Sequence, residues 1–246
     1  MDELIVYKPT NKKMRVGKLH DGGYVIEDLP GNYDILISGG IADDITFEQY
    51  FLNEFTGLKC LAFDGTTRLN IDENNLERIQ IIKKNLGNVN NDKLTNLHEE
   101  IINYNNIFLK MDIEGHEFRI IPTFNKTQMN KFKQIVLEIH TPFDIELHPD
   151  YFEGLSDIKN PHLLQLLKKI NETHTIIHLH ANNGCKMNTI NNIPIPHVFE
   201  VTFVRNDFVG NKDLNDTILP IDLDSRNVDH LPDYKLDFYP YCIQKK

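Results

Sequence analysis

Two carboxylates and a histidine, Asp112, Glu114 and His116, fall within five residues directly after the apolar run Ile107 to Met111. That run, bounded by Asn105-Asn106 and by Gly115, reads as a buried strand. In an open α/β sheet ligands bind just beyond the carboxyl ends of the strands, so Asp112 and Glu114 are expected to point into a crevice. Such groups are costly to desolvate unless a ligand, a metal or a hydrogen-bond network uses them. The competing structural use is to cap the next helix, whose N-terminus favours negative charge, and it applies to Glu117 more than to Asp112. A second polar pair, Glu138 and His140, closes the apolar run that begins at Gln134 and lies on one face of it. A third run, Thr175 to His180, ends in His180 and leads to Asn182-Asn183. An imidazole titrates near neutrality and can take a proton from a hydroxyl, although each histidine alone fits a structural role equally well. Asp112, Glu138, His140 and His180 would also suit a divalent ion, but their spacing matches no recognised metal motif.

These groups need a frame, and the chain supplies strand-like runs at regular intervals. Asp34 to Ile37 is the first core strand, followed by the loop Ser38-Gly39-Gly40-Ile41-Ala42-Asp43-Asp44. Thr46-x-x-Gln49 has the form of a capping box, and Phe47, Tyr50, Phe51 and Phe55 recur at helical spacing. Strand, glycine loop and helix in this order offer backbone N–H groups to an anion. Lys59 to Phe63 is the second strand and ends at Asp64-Gly65-Thr66, where nucleotide-binding folds hold a ribose diol, or where a plain Asp-Gly turn would stand. Ile79 to Lys83 is the third strand, and Thr95 opens a short helix through Leu97, Ile101 and Ile102. Asn160-Pro161 reads as an N-cap with proline at the first helical position, ahead of a buried stripe of Leu163, Leu164, Leu167 and Ile170. His197 to Val204 is the seventh strand. Residues 181–196 carry no helical stripe, so the last two strands should reverse directly and pair antiparallel. Ahead of the core, His20-Asp21-Gly22-Gly23-Tyr24 suits a tight turn or a close approach to a ligand.

The 246 residues suit one large α/β domain, with an N-terminal extension (1–33), a core sheet (34–205) and a C-terminal tail (206–246). A formal charge of -10 disfavours a nucleic-acid partner. No segment is apolar enough for a membrane helix, and the N-terminus lacks the pattern of a signal peptide, so a cytoplasmic protein is expected. Three widely spaced cysteines fit reduced thiols rather than a disulfide framework or a zinc site.

Lys110-Met111-Asp112-Ile113-Glu114-Gly115-His116-Glu117 matches the K-x-D-I-E-G-x-E pattern of the FkbM-type S-adenosylmethionine-dependent methyltransferases, and over roughly residues 15 to 240 the chain resembles that family. Ala62-Phe63-Asp64-Gly65-Thr66, Leu137-Glu138-Ile139-His140, His180-Ala181-Asn182-Asn183, Phe199 to Phe203 and Asp237 to Pro240 support the resemblance, and the Asp-Gly-Gly-Tyr segment marks a branch of it. The glycine loop departs from the acid-x-Gly-x-Gly form, and Gly65 stands where relatives often carry proline. The resemblance implies a Rossmann-like class I methyltransferase fold, a seven-stranded mostly parallel sheet with an antiparallel last strand. It implies S-adenosylmethionine as cofactor and methyl transfer to a hydroxyl, commonly on a sugar or other small metabolite. Cofactor contacts are then expected from Ser38, Gly39, Gly40, Asp64, Gly65, Thr66 and Asp112. His140, His180 and Asp112 are the expected catalytic residues, and Glu114, Glu138, Asn182 and Asn183 the expected acceptor contacts. No metal ligand is assigned. The rival readings are a divalent-metal-dependent enzyme, a nicotinamide enzyme, which the glycine loop and the strand reversal disfavour, and a catalytically silent binding module.

Overall fold

A computed structural model describes residues 2–69 and 77–243. The chain runs through β1 (Lys13–Gly17), β2 (Gly23–Glu27), β3 (Ile35–Gly39), α1 (Thr46–Glu54), β4 (Cys60–Phe63), β5 (Ile79–Ile82), β6 (Asn85–Leu86), β7 (Leu94–Thr95) and β8 (Ile107–Met111). It continues with α2 (Glu117–Ile120), α3 (Lys126–Met129), β9 (Phe132–His140), α4 (Pro142–Leu147), α5 (Asn160–Asn171), β10 (His174–Ala181), β11 (Met187–Ile190), β12 (Ile193–Pro196) and β13 (Val198–Arg205). The central sheet has seven strands in the order β10-β13-β9-β8-β3-β4-β5. Six of them run in one direction, and β13 alone among the seven lies antiparallel, between β10 and β9. This is the expected mostly parallel class I methyltransferase plan. The reversal before β13 holds a hairpin of its own, β11–β12, whose turn residues Asn191 and Asn192 both take the left-handed backbone (φ 50 and 65) that a two-residue hairpin turn requires.

Alternation along the buried strands sorts the core into two faces. Leu109, Met111, Leu137, Ile139 and Phe199 pack toward the α5 stripe of Leu163, Leu166, Leu167 and Ile170. On the other face Leu36, Phe108 and Val136 meet Phe47 and Phe51 of α1 together with Val16, Tyr24 and Ile26 of the β1–β2 hairpin. Phe51 and Phe108 meet with tilted rings, centroids 4.4 Å apart, and burying each such side chain contributes about 1.5–3 kcal/mol. The hairpin does not join the main ladder. Instead Gln134 acts as a surrogate strand partner, accepting from the Glu27 N–H at 2.8 Å and donating to the Glu27 carbonyl at 2.9 Å, while Thr202 donates to the Val25 carbonyl at 2.6 Å. This docking brings Asp21 and Tyr24 to the carboxyl ends of β8 and β9.

Three local expectations are corrected. The capping box at Thr46-x-x-Gln49 does not form, because Asp44 reaches the Thr46 N–H first, at 2.8 Å. No helix runs from Thr95 through Ile102: Leu97 sits at φ 63, a left-handed residue that stops helix propagation, and Thr95 pairs in β7 with β6. Helix α5 includes Asn160 and is preceded by Lys159 as N-cap, with Leu166 rather than Leu164 in the buried stripe. Among the described residues no helix is long and apolar enough to cross a membrane.

His174 opens β10 in a fully enclosed position, with Nε2 2.8 Å from the Phe132 carbonyl and Nδ1 2.8 Å from Thr173 Oγ1. Burial, reinforced by the charge of Arg205, pushes its pKa down to about 4. The folded ring therefore stays neutral where the unfolded one, near 6.5, takes a proton, so stability is intact above pH 6.5 and falls as pH drops from there toward 4. The loss attributable to this group is roughly 3 kcal/mol at its limit. Denaturant titrations at pH 7.5 and 5 should show this loss in the wild type and a clearly smaller one in His174→Gln; equal pH dependence of the two proteins would refute the assignment.

Candidate functional site

A cleft of ≈ 550 Å³ opens at the carboxyl ends of β3, β4, β8 and β9. One half is lined by Gly40, Ala42, Phe63, Asp64, Thr66, Asn85, Leu86, Leu94 and Ile113, and the other by Asp21, Asp112, Glu114, His116, Glu138 and Tyr151. The first half is largely apolar walls beside a glycine turn; the second is a concentration of carboxylates. A groove of similar volume, ≈ 560 Å³, lies around Asn105, Asn106, Lys126 and Arg205. These residues flank the opposite, amino-terminal end of β8, away from the converging strand-end carboxylates, so the first cleft is the candidate site.

The loop after β3 lies unusually close to the turn after β8. A Cβ on Gly40, which has φ +75, would meet the Asp112 carbonyl oxygen at 1.7 Å, and one on Gly39 would meet Leu86 Cδ1 at 2.3 Å. At position 40 only glycine allows this approach. Lys110, buried beneath, donates to the Gly40 carbonyl at 2.5 Å, and the Asp112 N–H donates to the Gly39 carbonyl at 3.1 Å. Asp64 then fixes the far side of the loop. Its Oδ2 accepts from the N–H groups of Ile41 (3.1 Å) and Ala42 (2.8 Å), and its Oδ1 from Thr66 N–H, Thr66 Oγ1 and Thr67 N–H at 2.6, 2.6 and 3.0 Å. Burial opposes its charge, but these donors outweigh burial and hold the carboxyl below its ordinary pKa. Asp64 thus borders the cleft while both of its oxygens are engaged with the loop. Gly65 donates to Asn85 Oδ1 at 2.7 Å. Ser38 faces away from the cleft, fully buried, and donates to Glu48 at 2.5 Å.

The turn after β8 aims the carboxylates. Glu114 (φ 56) and Gly115 (φ 82) are consecutive left-handed residues, and a Cβ at Gly115 would also press on Leu155 at 2.9 Å. Glu117, fully buried, accepts from the Ile113 N–H at 2.9 Å and closes the turn; burial lifts its pKa to about 7. Thrown back by this turn, Glu114 Oε2 lies 3.1 Å from His140 Nε2, and Glu138 Oε2 lies 3.6 Å from the same atom. On the other side of the ring Nδ1 lies 2.8 Å from Asp144 Oδ2. Burial alone would lower the His140 pKa, but Asp144, Glu114 and Glu138 overcome it and raise it far above neutrality. The same ring holds Glu114 below its usual value against the effect of burial. Glu138 is pushed up to about 8, by burial first and by Asp112 second. Asp112 accepts from the Tyr24 hydroxyl at 3.1 Å.

The structure brings Asp112, Glu114, Glu138 and His140 together, with Asn182 behind them, its Nδ2 3.5 Å from Glu138 Oε1. His140 stands behind Glu114 and Glu138 rather than on the cleft wall. His180 sits apart, Nδ1 3.5 Å from Glu200 and Nε2 3.3 Å from Asp233. Asn183 is spent on the tail: it donates to the carbonyls of Val228 and Leu231, both at 2.9 Å, and accepts from Val228 N–H at 2.8 Å. The segment from His20 to Tyr24 was open between a tight turn and a ligand approach, and the docking of the hairpin brings Asp21 and Tyr24 to the site. Asp144 was missed, since its only signal is its spacing of four residues from His140.

The sequence profile described as the methyltransferase FkbM domain matches residues 9–171. Similar solved structures include an S-adenosylmethionine-dependent O-methyltransferase from Thermotoga maritima (12% identity, 71% of this chain, 60% of that chain, TM-score 0.37). A precorrin-6y C5,15-methyltransferase from Geobacter metallireducens is also similar (11% identity, 72% and 83% coverage, TM-score 0.41), as is the plantazolicin methyltransferase BpumL in complex with a monoazolic desmethylPZN analog and SAH (10% identity, 72% and 77% coverage, TM-score 0.41). No curated protein matches the sequence.

Replacing one Asp64 oxygen by an amide NH2 sets a donor against the loop's donors and costs about 1–3 kcal/mol of loop order. Asp64→Asn should therefore bind S-adenosylmethionine at least about tenfold more weakly by calorimetry, with unchanged far-UV circular dichroism. Wild-type affinity in this variant would exclude the loop as part of the donor site.

Proposed function

This chain belongs to the FkbM methyltransferase domain family, with S-adenosylmethionine as its cofactor, and from that premise we propose that it methylates a hydroxyl on a sugar or another small polyhydroxylated metabolite. The observation that carries the proposal is the mixed lining of one cleft: apolar side chains and a glycine turn from the β3, β4 and β6–β7 segments, and carboxylates from the ends of β8 and β9. The half formed by Phe63, Leu86, Leu94 and Ile113 beside Gly40 suits a planar base and its attached chain: the walls are apolar, and the glycines leave the loop close to the floor. Its neighbour, with Asp21, Asp112, Glu114, Glu138 and Tyr151, offers acceptors for several hydroxyls and an aromatic ring at the mouth. Ionised carboxylates are acceptor-only groups and so take hydrogen bonds from hydroxyls.

S-adenosylmethionine, when bound, supplies a methyl group on a sulfonium: the O–C bond forms as the S–C bond breaks, and sulfur keeps the electron pair. Little covalent help is needed, so the chain's task is to align the acceptor and take its proton. Glu138 is on the cleft wall, while His140 and His180 are not, and we assign proton removal to the Glu138 carboxylate on that position. Asn182 behind it, and His140 beside it at 3.6 Å, restrict its orientation. Asp112, steadied by the Tyr24 hydroxyl, holds the acceptor against the glycine loop. The proton lost by the acceptor ends on Glu138, and the positive charge of the sulfonium is discharged in the same step.

Tritium transfer from methyl-labelled S-adenosylmethionine to a panel of sugars and small polyols should identify an acceptor. With that acceptor, Glu138→Gln should reduce kcat by about 10²–10⁴ and leave donor affinity intact, while His180→Asn should affect turnover far less. Full turnover in Glu138→Gln would overturn the base assignment, and labelling confined to amine-bearing acceptors would overturn the hydroxyl reading.

A further inference from the structure

Asp112, Glu114 and His140 each present one ligand atom, and the three atoms lie within 4.8 Å of one another. We propose that these residues form a binding site for a divalent metal ion, and that Mn²⁺, which accepts both carboxylate oxygen and imidazole nitrogen, is of the chemical class the site takes. In an octahedral shell with bonds of about 2.1 Å, neighbouring ligand atoms are about 3 Å apart and opposite ones about 4.2 Å. The separation of 3.1 Å between Glu114 Oε2 and His140 Nε2 is that of a neighbouring pair.

Two further observations favour an ion over a plain cluster of ion pairs. The first is the state of His140 Nε2: it is shielded from solvent and makes no well-formed hydrogen bond, although carboxylate oxygens of Glu114 and Glu138 stand 3.1 and 3.6 Å away. The second is the opposite nitrogen. Nδ1 is held at 2.8 Å by Asp144, itself only 6% exposed, and a buried carboxylate on one ring nitrogen is the arrangement that orients the other toward a metal. Charge points the same way. Asp112, Glu114, Glu138 and Asp144 surround one imidazole, and among the described residues no lysine or arginine forms an ion pair with any of the four. His180, which its residue type offered as a further ligand, stands beside Glu200 and Asp233 and lies outside this set.

Asp112 and Glu114 both line the cleft, so the open coordination positions would face the acceptor half. There the ion would hold an acceptor oxygen and ease loss of its proton to Glu138. That consequence rests on the O-methylation reading; binding of the ion does not.

The test uses the full chain, stripped with chelator and titrated with Mn²⁺ alone, followed by electron paramagnetic resonance of the free ion and by calorimetry. One Mn²⁺ per chain is expected, with affinity at least about tenfold lower in Asp112→Asn and Glu114→Gln and about 10–100-fold lower in Asp144→Asn. Glu146→Gln, at an exposed position on α4, should bind as the wild type does. Glu114 is 48% exposed at its side chain, so Glu114→Gln should fold and keeps the test decisive even if Asp144→Asn, at a buried position, does not. No Mn²⁺ binding, or equal binding in wild type, Asp112→Asn and Glu114→Gln, would overturn the proposal. Titration of the same samples with S-adenosylhomocysteine separates the two readings: a chain that binds it and ignores Mn²⁺ loses only the metal site.

Discussion

Carboxylates at the ends of adjacent buried strands are unstable unless each meets a donor or a cation, and most of the architecture around the cleft answers that requirement. Asp64 is met by five donors from two loops, so the same contacts that stabilise its charge also set the shape of the glycine turn. Asp112 is met by Tyr24 from the docked hairpin. Glu114, Glu138 and Asp144 share His140. Each solution ties one segment to another: β4 to the loop after β3, the N-terminal hairpin to β8, and α4 to β9. The polar cleft and the tertiary structure are in this sense one arrangement.

Such coupling makes the cleft sensitive to backbone geometry. The strand-end turn after β8 needs two successive left-handed residues, and Gly115 accommodates the second at no steric cost while Glu114 bears the first. Buried Glu117 stabilises the turn by accepting from Ile113, and its elevated pKa reflects burial of the carboxyl. The Lys-x-Asp-Ile-Glu-Gly-x-Glu pattern therefore has a physical division of labour. Lys110 pins the glycine loop, Asp112 and Glu114 face the cleft, Gly115 permits the turn and Glu117 closes it.

The frame was legible in the sequence because its signals are local. Apolar runs such as Ile107 to Met111 and Gln134 to His140 became strands within a residue or two of their expected limits, and the absence of a helical stripe in 181–196 correctly implied the antiparallel β13. What failed depended on contacts at a distance or on single dihedrals. Thr46 is capped by Asp44 rather than by a box with Gln49, and Leu97 turns left-handed where a helix pattern continues on paper. In the site, residue type pointed to Asp112, Glu114, Glu138 and His140, and the fold assembles them. Type could not tell His140 from His180, because their difference lies in partners: carboxylates bordering the cleft for one, and Glu200 with Asp233 for the other. Nor could it show that Asn183 and Ser38 are consumed by structural hydrogen bonds.

Every role assigned above depends on the ligand entering the cleft at the carboxyl ends of β3, β4, β8 and β9 rather than the groove of similar size at the opposite end of the sheet. Amide chemical-shift mapping with S-adenosylhomocysteine addresses it most directly. The account predicts saturable shifts at Gly40, Ala42, Gly65, Thr66 and Ile113, with the amides of Asn105, Asn106 and Arg205 unmoved. Shifts confined to the second set, or none in the first at saturating ligand, would contradict it.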